Sequence, residues 1–444
     1  MNYQDLKHLA KSNKVTIRDL LVMAPQNDPF YTGTDGDLIK ANWFADLWRR
    51  FGYSTGVHLR RIHYQVVSQR DAKDCNGKPY ENTERCWNDL NLSAKAARYL
   101  GLVPVDAFID ARNPPAHVYH SKDYKPSEPF LSIETDEWSL PSIAPSLDYS
   151  LEFPTPEPYG YLFSPEDQPY MIEIWCEKST MNDVLLPICN RYHTNFVTGL
   201  GFLSITSVQH LLNRAQASGK PARILYISDF DPAGSFMPQQ IARQIEFWLQ
   251  QKNLDLDIAL MPLALTRDQV IKFELPRIPI KDTDRRAANF EEKHGEGAVE
   301  LDALEALYPG SLSDIVNGAI SQFVDHGLSA RLREAEDDAE AWIETEWDRR
   351  TRFSQERFYE IADHVQSIAE GYRGRLTAMS EELEDEIRPL RQELDQLRHD
   401  ITETAFMMES SLPERPGAET DPNDGNWLFR SDRDYISQLV RYKQ

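Results

Sequence analysis

One stretch, RILYISDFDPAG at residues 223–234, constrains the possible fold of this chain more than any other. Its apolar run predicts a buried β-strand that ends at Asp229 and Asp231, and the Pro-Ala-Gly that follows predicts a helix start near Gly234. In α/β sheets, ligands bind beyond the carboxyl ends of the strands. The two carboxylates are therefore predicted to lie at a functional edge of a sheet.

Three further apolar segments predict strands that alternate with helices. Residues 171–180, MIEIWCEKST, end on Glu177 and Lys178; residues 196–204, FVTGLGFLS, run into a Gly-turn-Gly; residues 257–265 read DIALMPLAL. Alternation at this spacing predicts a parallel sheet. All three acids are then expected to converge on one sheet edge.

Carboxylates in this arrangement suit a hard divalent cation, because Mg²⁺ prefers oxygen ligands and keeps several of its waters. Glu177, Asp229 and Asp231 are the predicted ligands. A purely structural role, in which Asp229 or Asp231 only caps the following helix, stays open. Farther along the chain, Glu300 and Asp302 are candidates to join the metal site, but the sequence favours a surface strand-to-helix turn for them.

The order Glu-Lys strand end, TG-G turn and D-DP-G strand end resembles the Toprim domain of the type IIB topoisomerases. That family includes the A subunit of topoisomerase VI and the meiotic double-strand-break transesterase. The resemblance covers residues 171 to about 265 and implies a Toprim α/β domain over 171–328. It also implies a Mg²⁺ site, with Mn²⁺ as a possible substitute.

The first 112 residues resemble a winged-helix (CAP-like) DNA-binding domain. Residues 37–51 and 54–69 carry apolar residues at helical spacing and are followed by an extended segment. A further helix includes Lys95 and Arg98, which we expect to face outwards as candidate contacts to the DNA backbone.

Within this region, the sequence LRRIHY resembles the Arg-x-Ile-aromatic-Tyr pattern of the family, in which the last Tyr is the nucleophile. The resemblance implies that Tyr64 attacks DNA, although His63 replaces the usual aromatic residue. A phenol with a pKa near 10 is a weak nucleophile at neutral pH. Arg60 and Arg61 are placed to stabilise its developing charge or hold the scissile phosphate. A half-buried core role or a simple phosphate contact remains the alternative for Tyr64.

The formal net charge of −23 is unusual for a protein that binds DNA, but the charge is unevenly distributed. Residues 1–112 hold 16 basic and 13 acidic residues, 113–170 hold 2 and 10, and 329–412 hold 11 and 22. The amino-terminal part is thus able to face nucleic acid. Lys178 and Lys281 are further candidate DNA contacts.

The remaining segments are a Pro-rich acidic connector at 113–170, a helical coiled-coil region at 329–412, and a linker with a final helix at 413–444. The coil departs from the family, and Pro389 is expected to kink or interrupt it. An a/d seam for folding back or dimerisation is predicted from six residues: Leu383, Ile387, Leu390, Leu394, Leu397 and Ile401.

Several classes are disfavoured by composition. No apolar run approaches the length of a membrane helix and no apolar segment follows Met1, so we expect a cytoplasmic, nucleoid-associated protein. The four cysteines show no zinc spacing. No GxxxxGK[ST] motif is present, so the chain is expected either to act alone or to obtain an ATPase function from a partner subunit.

The resemblance implies Mg²⁺-dependent cleavage of double-stranded DNA by tyrosine transesterification, in a homodimer where each Tyr works with the acids of the other subunit. A hydrolytic Toprim nuclease of a plasmid or phage defence type is the first alternative. A non-catalytic DNA-binding scaffold is the second.

Overall fold

A computed structural model describes most of the 444 residues. The Gly-turn-Gly predicted within 196–204 lies outside the described residues from position 199 onwards. The described ranges are 1–109, 115–119, 124–133, 138–142, 147–198, 205–281, 284, 286–373, 380–420, 422 and 425–444.

The chain divides into two compact units, each built from segments that are distant in sequence. Unit 1 comprises Met1–Tyr124, Gln168–Val324 and Thr420–Gln444, and unit 2 comprises Lys125–Asp167 and Asp325–Glu419. The division of the chain into five consecutive segments stays a prediction.

Seven β-strands are present in the described residues. They are β1 Phe130–Ser132, β2 Glu157–Tyr159, β3 Met171–Cys176, β4 Asn195–Thr198, β5 Ala222–Ile227, β6 Ile258–Ala264 and β7 Phe429–Arg430.

Fourteen α-helices are present in the same described residues. They are α1 Tyr3–Asn13, α2 Asp35–Arg50, α3 Leu59–Val67, α4 Glu84–Tyr99, α5 Asn182–Tyr192, α6 Ile205–Ser218, α7 Pro232–Lys252, α8 Arg267–Lys272, α9 Ala287–His294, α10 Leu301–Leu307, α11 Ser311–Ile320, α12 Leu328–Tyr372, α13 Ser380–Glu409 and α14 Tyr435–Lys443. Short 3₁₀ turns cover Ile17–Leu20, Pro29–Tyr31, Pro165–Asp167, Ser179–Met181 and Ser321–Phe323.

The centre of unit 1 is a five-stranded sheet in the order β4-β3-β5-β6-β7. The first four strands are parallel, and β7 joins the edge in the antiparallel direction. The predicted mixed α/β architecture with a parallel sheet is therefore confirmed. Because β3 and β5 are neighbours, their carboxyl ends lie side by side and bring their following residues together.

The buried apolar character of the central strands follows from helices that cover both faces of the sheet. One core cluster contains Trp175 and Tyr226 with residues of α6 and α7, and the other contains Ile174 and Leu225 with residues of α5 and α11. Every residue of β3 is buried, including Glu173. Successive side chains of each strand thus point to opposite faces of the sheet and pack into the two core clusters.

Glu173 is a buried carboxylate with a structural role. Its oxygens accept hydrogen bonds from Arg214 at 2.7 and 2.8 Å, Trp175 Nε1 at 2.8 Å and Asn195 Nδ2 at 3.1 Å. A buried carboxylate whose charge is fully paired in this way needs no metal ion to compensate it. Its position at the middle of β3 also separates it from the strand end that carries Glu177.

The amino-terminal helices pack as a small apolar layer. Residues of α2, α3 and α4, including Phe44, Trp48, Ile62 and Leu90, form one buried cluster. The helices predicted at 37–51 and 54–69 correspond to α2 and α3. The winged-helix identity of this region remains an expectation.

Unit 2 contains a long helical hairpin. Tyr372 donates a hydrogen bond to Glu386 and Arg357 pairs with Glu393, so the contacts of α12 and α13 run in opposite directions along the two helices. Helix α13 is continuous through Pro389, which does not interrupt it. The predicted seam is buried within the chain, and four of its residues share a cluster with α12: Leu390, Leu394, Leu397 and Ile401.

Within the described residues, no helix combines the length and apolar character needed to cross a membrane.

Candidate metal centre

The centre begins where β3 ends. Glu177 follows Cys176 and still pairs with the neighbouring strand, since its backbone N–H donates to Ile227 O at 3.0 Å. Lys178 then starts the turn that leads into α5. This pairing holds the Glu177 carboxylate beside the residues that follow β5.

The segment after β5 is held by two tight local contacts. Asp231 caps α7, with its Oδ1 accepting from Gly234 N at 2.5 Å, and its role as a metal ligand stays a prediction. A Cβ added at Gly234 would lie 2.1 Å from Asp229 O. Only glycine allows the backbone to approach this closely. The D-F-D-P-A-G sequence thus turns sharply enough to keep Asp229 and Asp231 at one strand end.

A second acidic segment reaches the same place from 70 residues farther along the chain. Phe230 and Val299 exchange backbone hydrogen bonds of 2.9 Å, and Leu301 N donates to Asp229 Oδ1 at 2.7 Å. Glu300 precedes the first residue of α10 and Asp302 lies in its first turn. The strand-to-helix turn was predicted, but its carboxylates also enter the centre.

Lys178 joins the two acidic segments. Its Nζ lies 3.0 Å from Asp229 Oδ1 and 2.7 Å from Asp302 Oδ2, and it also pairs with Glu300 Oε2. Burial alone would lower the pKa of Lys178, but the hydrogen bonds to Asp302, Glu300 and Asp229 outweigh it and raise the pKa. The ammonium is therefore a permanent positive charge in the centre.

Glu177 lies in a different electrostatic environment from Asp302. Burial, followed by repulsion from Asp229 and Asp231, raises the pKa of Glu177 to about 7. The pKa of Asp302 is lowered, chiefly by its hydrogen bond with Lys178. The protein thus compensates the charge of Asp302 more strongly than that of Glu177.

The donor set of the centre fits a divalent cation. Oxygens of Asp229, Glu300 and Asp302 all lie within 4.8 Å of one another, an arrangement that could hold a metal ion. Of the three predicted ligands, Asp229 belongs to this group and Glu177 and Asp231 do not. Glu177 Oε2 is buried and has no hydrogen-bond partner among the described residues. A buried, unpaired carboxylate oxygen carries a desolvation cost that a cation would remove. The all-oxygen set matches the preference of Mg²⁺, Mn²⁺ and Ca²⁺.

Tyr64 lies on the exposed side of α3. Its side chain is 57% exposed, and both Arg60 and Arg61 on the same helix are also exposed. The half-buried core alternative for Tyr64 is therefore wrong. The three residues form an exposed surface that is accessible to a ligand.

His63, the residue that departs from the family pattern, is a core residue. It is 4% exposed, and its two ring nitrogens contact Tyr80 OH at 2.7 Å and Asn82 Oδ1 at 3.1 Å. Its ring packs edge-on against Tyr64 and Trp87. Both ring nitrogens of His63 are thus paired, and its ring packs against Tyr64 and helps to hold that side chain in place.

Two of the predicted outward-facing cations are not at the surface as expected. Arg98 is 6% exposed and donates to Val105 O and, at 3.0 Å, to Thr206 Oγ1. Lys95 is partly buried, and its Nζ donates to Gln26 O at 2.7 Å. The expectation that Arg98 faces outwards is wrong, because its side of α4 packs against other segments of unit 1. The assignment of Lys95 as a DNA contact stays a prediction.

The other two predicted DNA contacts differ from each other. Lys178 directs its ammonium to three carboxylates of the centre, and its assignment as a DNA contact stays a prediction. Lys281 is exposed, and its assignment stays a prediction.

For Glu300 and Asp302, the sequence left a place in the metal site open but favoured a surface strand-to-helix turn. Their acid-x-acid spacing before a helix repeats the pattern of Asp229 and Asp231. That repetition is the signal by which they could have been found. No family model matches this chain, and no curated protein matches it.

Proposed function

We propose that this chain cleaves double-stranded DNA in a reaction that requires Mg²⁺ or Mn²⁺. The observation that carries the proposal is the buried, unpaired Oε2 of Glu177 in the field of Asp229 and Asp231. These three carboxylates are the proposed metal ligands. They follow two neighbouring parallel strands, the edge of an α/β sheet at which ligands bind.

The proposed nucleophile is Tyr64. Its phenolic oxygen forms a bond to a backbone phosphorus, the bond from that phosphorus to the 3′ oxygen breaks, and the phenolic proton ends on the released 3′ hydroxyl. Arg60 and Arg61 offset the negative charge that develops on the phenolate and the phosphate. The product is a 5′-phosphotyrosyl link together with a free 3′ end.

A bound divalent cation would supply Lewis-acid stabilisation of the scissile phosphate. The chain's own contribution is to hold Glu177, Asp229 and Asp231 at fixed positions through the β3–β5 pairing and the α7 cap. Asp229 is fixed further by Leu301 N. Preorganised charge of this kind is what an electrostatic site requires.

The Toprim and winged-helix resemblance supports the assembly part of the proposal. It implies a homodimer in which Tyr64 of one subunit works with the carboxylates of the other, so that two half-sites cut opposite strands. It also implies that any coupling to ATP hydrolysis comes from a partner subunit.

A hydrolytic nuclease is the second candidate function. Glu300 and Asp302 favour it, since they add carboxylates beyond the three that one ion needs, and two-metal sites activate water for hydrolysis. In that reaction Tyr64 only binds DNA, and the products are free 3′-hydroxyl and 5′-phosphate ends.

The test is plasmid cleavage with protease as the variable. Supercoiled DNA is incubated with the protein and Mg²⁺ or Mn²⁺, stopped with SDS, and analysed with and without proteinase K. Transesterification predicts cut DNA that enters the gel only after proteolysis. Cut DNA that migrates identically in both lanes would instead establish hydrolysis.

A matched tyrosine variant makes the assignment specific. Tyr64→Phe is expected to remove covalent adducts without loss of DNA binding. Tyr359→Phe is the control, because Tyr359 is 56% exposed, close to the 57% of Tyr64, but lies on α12. Adducts that persist in Tyr64→Phe would show that another residue is the nucleophile.

A further inference from the structure

We infer that the ammonium of Lys178 occupies the second cation position of this centre, so that each chain binds one divalent ion rather than two. The inference rests on the proposed function, in which Glu177, Asp229 and Asp231 hold the first ion. It identifies Lys178 as the residue that determines metal stoichiometry.

The geometry of the ion pairs supports this role. Nζ of Lys178 contacts Asp229, Glu300 and Asp302, the same three residues whose oxygens are close enough together to hold an ion. The side chain of Lys178 is only 21% exposed, so bulk solvent does not readily replace these contacts. The lysine is a tethered cation in the place where a free ion would bind.

Distances distinguish an ammonium from a metal ion. The contacts of Lys178 Nζ to Asp229 and Asp302 are 3.0 and 2.7 Å, ordinary lengths for charged hydrogen bonds. Mg²⁺ demands oxygens at about 2.0–2.1 Å in octahedral geometry. A metal ion at this position would have to displace the ammonium of Lys178 and draw the carboxylates closer together. The positive charge of the ammonium would also repel the incoming ion.

The first ion position is left open by the same set of contacts. Among the described residues, the ion pairs of Lys178 reach neither Glu177 nor Asp231. Lys178 Nζ and Leu301 N both contact Oδ1 of Asp229, so the other oxygen of that carboxylate is the one left for a metal. Asp229 thus lies between a lysine-filled position and a metal position.

A single ion has a consequence for the reaction. Two-metal hydrolysis uses one ion on the attacking oxygen and one on the leaving oxygen. If Lys178 excludes the second ion, activation of water in this way is lost, and a protein nucleophile such as Tyr64 takes its place. The proposed attack by Tyr64 does not need a second ion, so it is compatible with a lysine in that position.

The experiment counts bound Mn²⁺ by the electron paramagnetic resonance signal of the free aqueous ion during titration of the full-length protein. We expect one bound ion per wild-type chain and two per chain of Lys178→Met, which removes the charge and keeps the stem. Lys293→Met is the control, because Lys293 is an exposed lysine on α9, and it should keep one ion. Two ions in the wild type, or one in a folded Lys178→Met, would overturn the inference.

A second variant tests the position of the first ion even if Lys178→Met does not fold. Glu300→Gln combined with Asp302→Asn in the wild-type background should still bind one Mn²⁺, because the first ion does not use these residues. Loss of the ion in this double variant would show that Glu300 and Asp302 hold it, contrary to the inference. Adding both changes to Lys178→Met should return the count from two to one.

Failure of the proposed function is a separate outcome. One tightly bound Mn²⁺ per chain with no plasmid cleavage would contradict the cleavage proposal and leave the role of Lys178 standing. A wild-type chain that binds no Mn²⁺ would contradict both.

Discussion

Lys178 Nζ lies 3.0 Å from Asp229 Oδ1, although the two residues follow different strands of the sheet. The pairing is possible because β3 and β5 are parallel neighbours and end at the same edge. The ammonium of Lys178 thereby neutralises part of the negative charge on one side of the acidic centre. Glu177, on the other side, remains with an unpaired buried oxygen.

The first prediction concerns the pH dependence of stability in the metal-free protein. The pKa of Glu177 is about 7 in the folded chain and 4.5 as the ordinary value, so the folded state holds the proton to higher pH than the unfolded state. The contribution of this group to stability is therefore fully present below pH 4.5 and decreases as the pH rises to 7. Glu177→Gln should raise the free energy of unfolding by about 1–3 kcal/mol at pH 8, after allowance for partial solvent screening.

Urea unfolding at pH 5 and pH 8 measures this difference, with the exposed Glu292→Gln as control. At pH 5 the Glu177→Gln variant and the wild type should differ much less in stability, since the side chain of Glu177 is then neutral in the folded state of the wild type as well. Added Mg²⁺ should stabilise the wild type at pH 8 and leave Glu177→Gln unchanged. Equal stabilisation of both proteins by Mg²⁺ would rule out Glu177 as a ligand.

The second prediction concerns the turn after β5. Gly234→Ala places a Cβ 2.1 Å from Asp229 O, so the backbone must move and carry Asp229 with it. We expect a loss of roughly 2–4 kcal/mol in unfolding free energy, typical of severe overpacking. Weaker Mn²⁺ binding should accompany the loss, because Asp229 and the α7 cap are displaced together.

Gly318→Ala is the control for this change. Gly318 lies within α11, and a Cβ there meets nothing within 4 Å. The same substitution should stabilise the protein by up to about 1 kcal/mol through helix propensity. Thermal unfolding measures the stability of both variants against the wild type. Similar changes in stability from the two substitutions would show that the backbone at Gly234 is not too close to Asp229 O for a Cβ.

The third prediction concerns a buried charge group that joins distant parts of unit 1. Arg243 has no exposed side-chain surface, and it pairs with Asp28 at 3.2 Å and Glu246 at 2.9 Å. Its guanidinium also lies 4.2 Å from the ring centre of Phe30 and 4.5 Å from that of Tyr435. Arg243→Met leaves two buried carboxylates without their cation, which should cost about 3–5 kcal/mol.

Arg49→Met is the matched change at the surface, where Arg49 and Asp46 are both about 70% exposed. Its effect on the free energy of unfolding should stay below about 1 kcal/mol. Chemical denaturation of both variants gives the comparison. A similarly small effect of Arg243→Met would contradict this prediction.

The fourth prediction concerns unit 2. Asp325 accepts hydrogen bonds from Arg331 at 2.6 Å, Gly327 N at 2.9 Å and Glu419 N at 2.6 Å, so it joins both ends of this unit's carboxyl-terminal segment. The hydrogen bond from Arg331 lowers the pKa of Asp325 to about 2. The stabilisation is present above the ordinary pKa of 3.8 and is lost as the pH falls through 2.

Asp325→Asn should therefore destabilise unit 2 at pH 7 by roughly 1–3 kcal/mol, the range for hydrogen bonds to charged groups. Hydrogen exchange at the Glu419 amide is the most direct measurement, because that N–H donates to Asp325. Asp337→Asn, an exposed change on α12, should leave this exchange rate unaltered. Unchanged protection at Glu419 in Asp325→Asn would disprove the link.

Much of the architecture followed from local sequence patterns. Apolar runs ending on acids located β3 and β5, the Asp231-Pro-Ala-Gly sequence located the start of α7, and the heptad spacing located α13. Each of these signals lies within a few residues of the feature it predicts. Strand length, helix caps and helix periodicity depend on neighbours along the chain, which is why the sequence alone was sufficient.

The partners of charged residues depended on the tertiary structure. Lys178 meets Glu300 and Asp302 across more than 120 residues, and Arg98 is buried against Val105 and Thr206 instead of facing outwards. A helix or turn pattern shows which residues are charged, but what packs against them is decided by other segments. The sequence by itself determined the strands, the caps and the acids at the strand ends. Only the tertiary structure decided which of those acids has a cation, because burial and pairing arise from contacts between segments far apart in the chain.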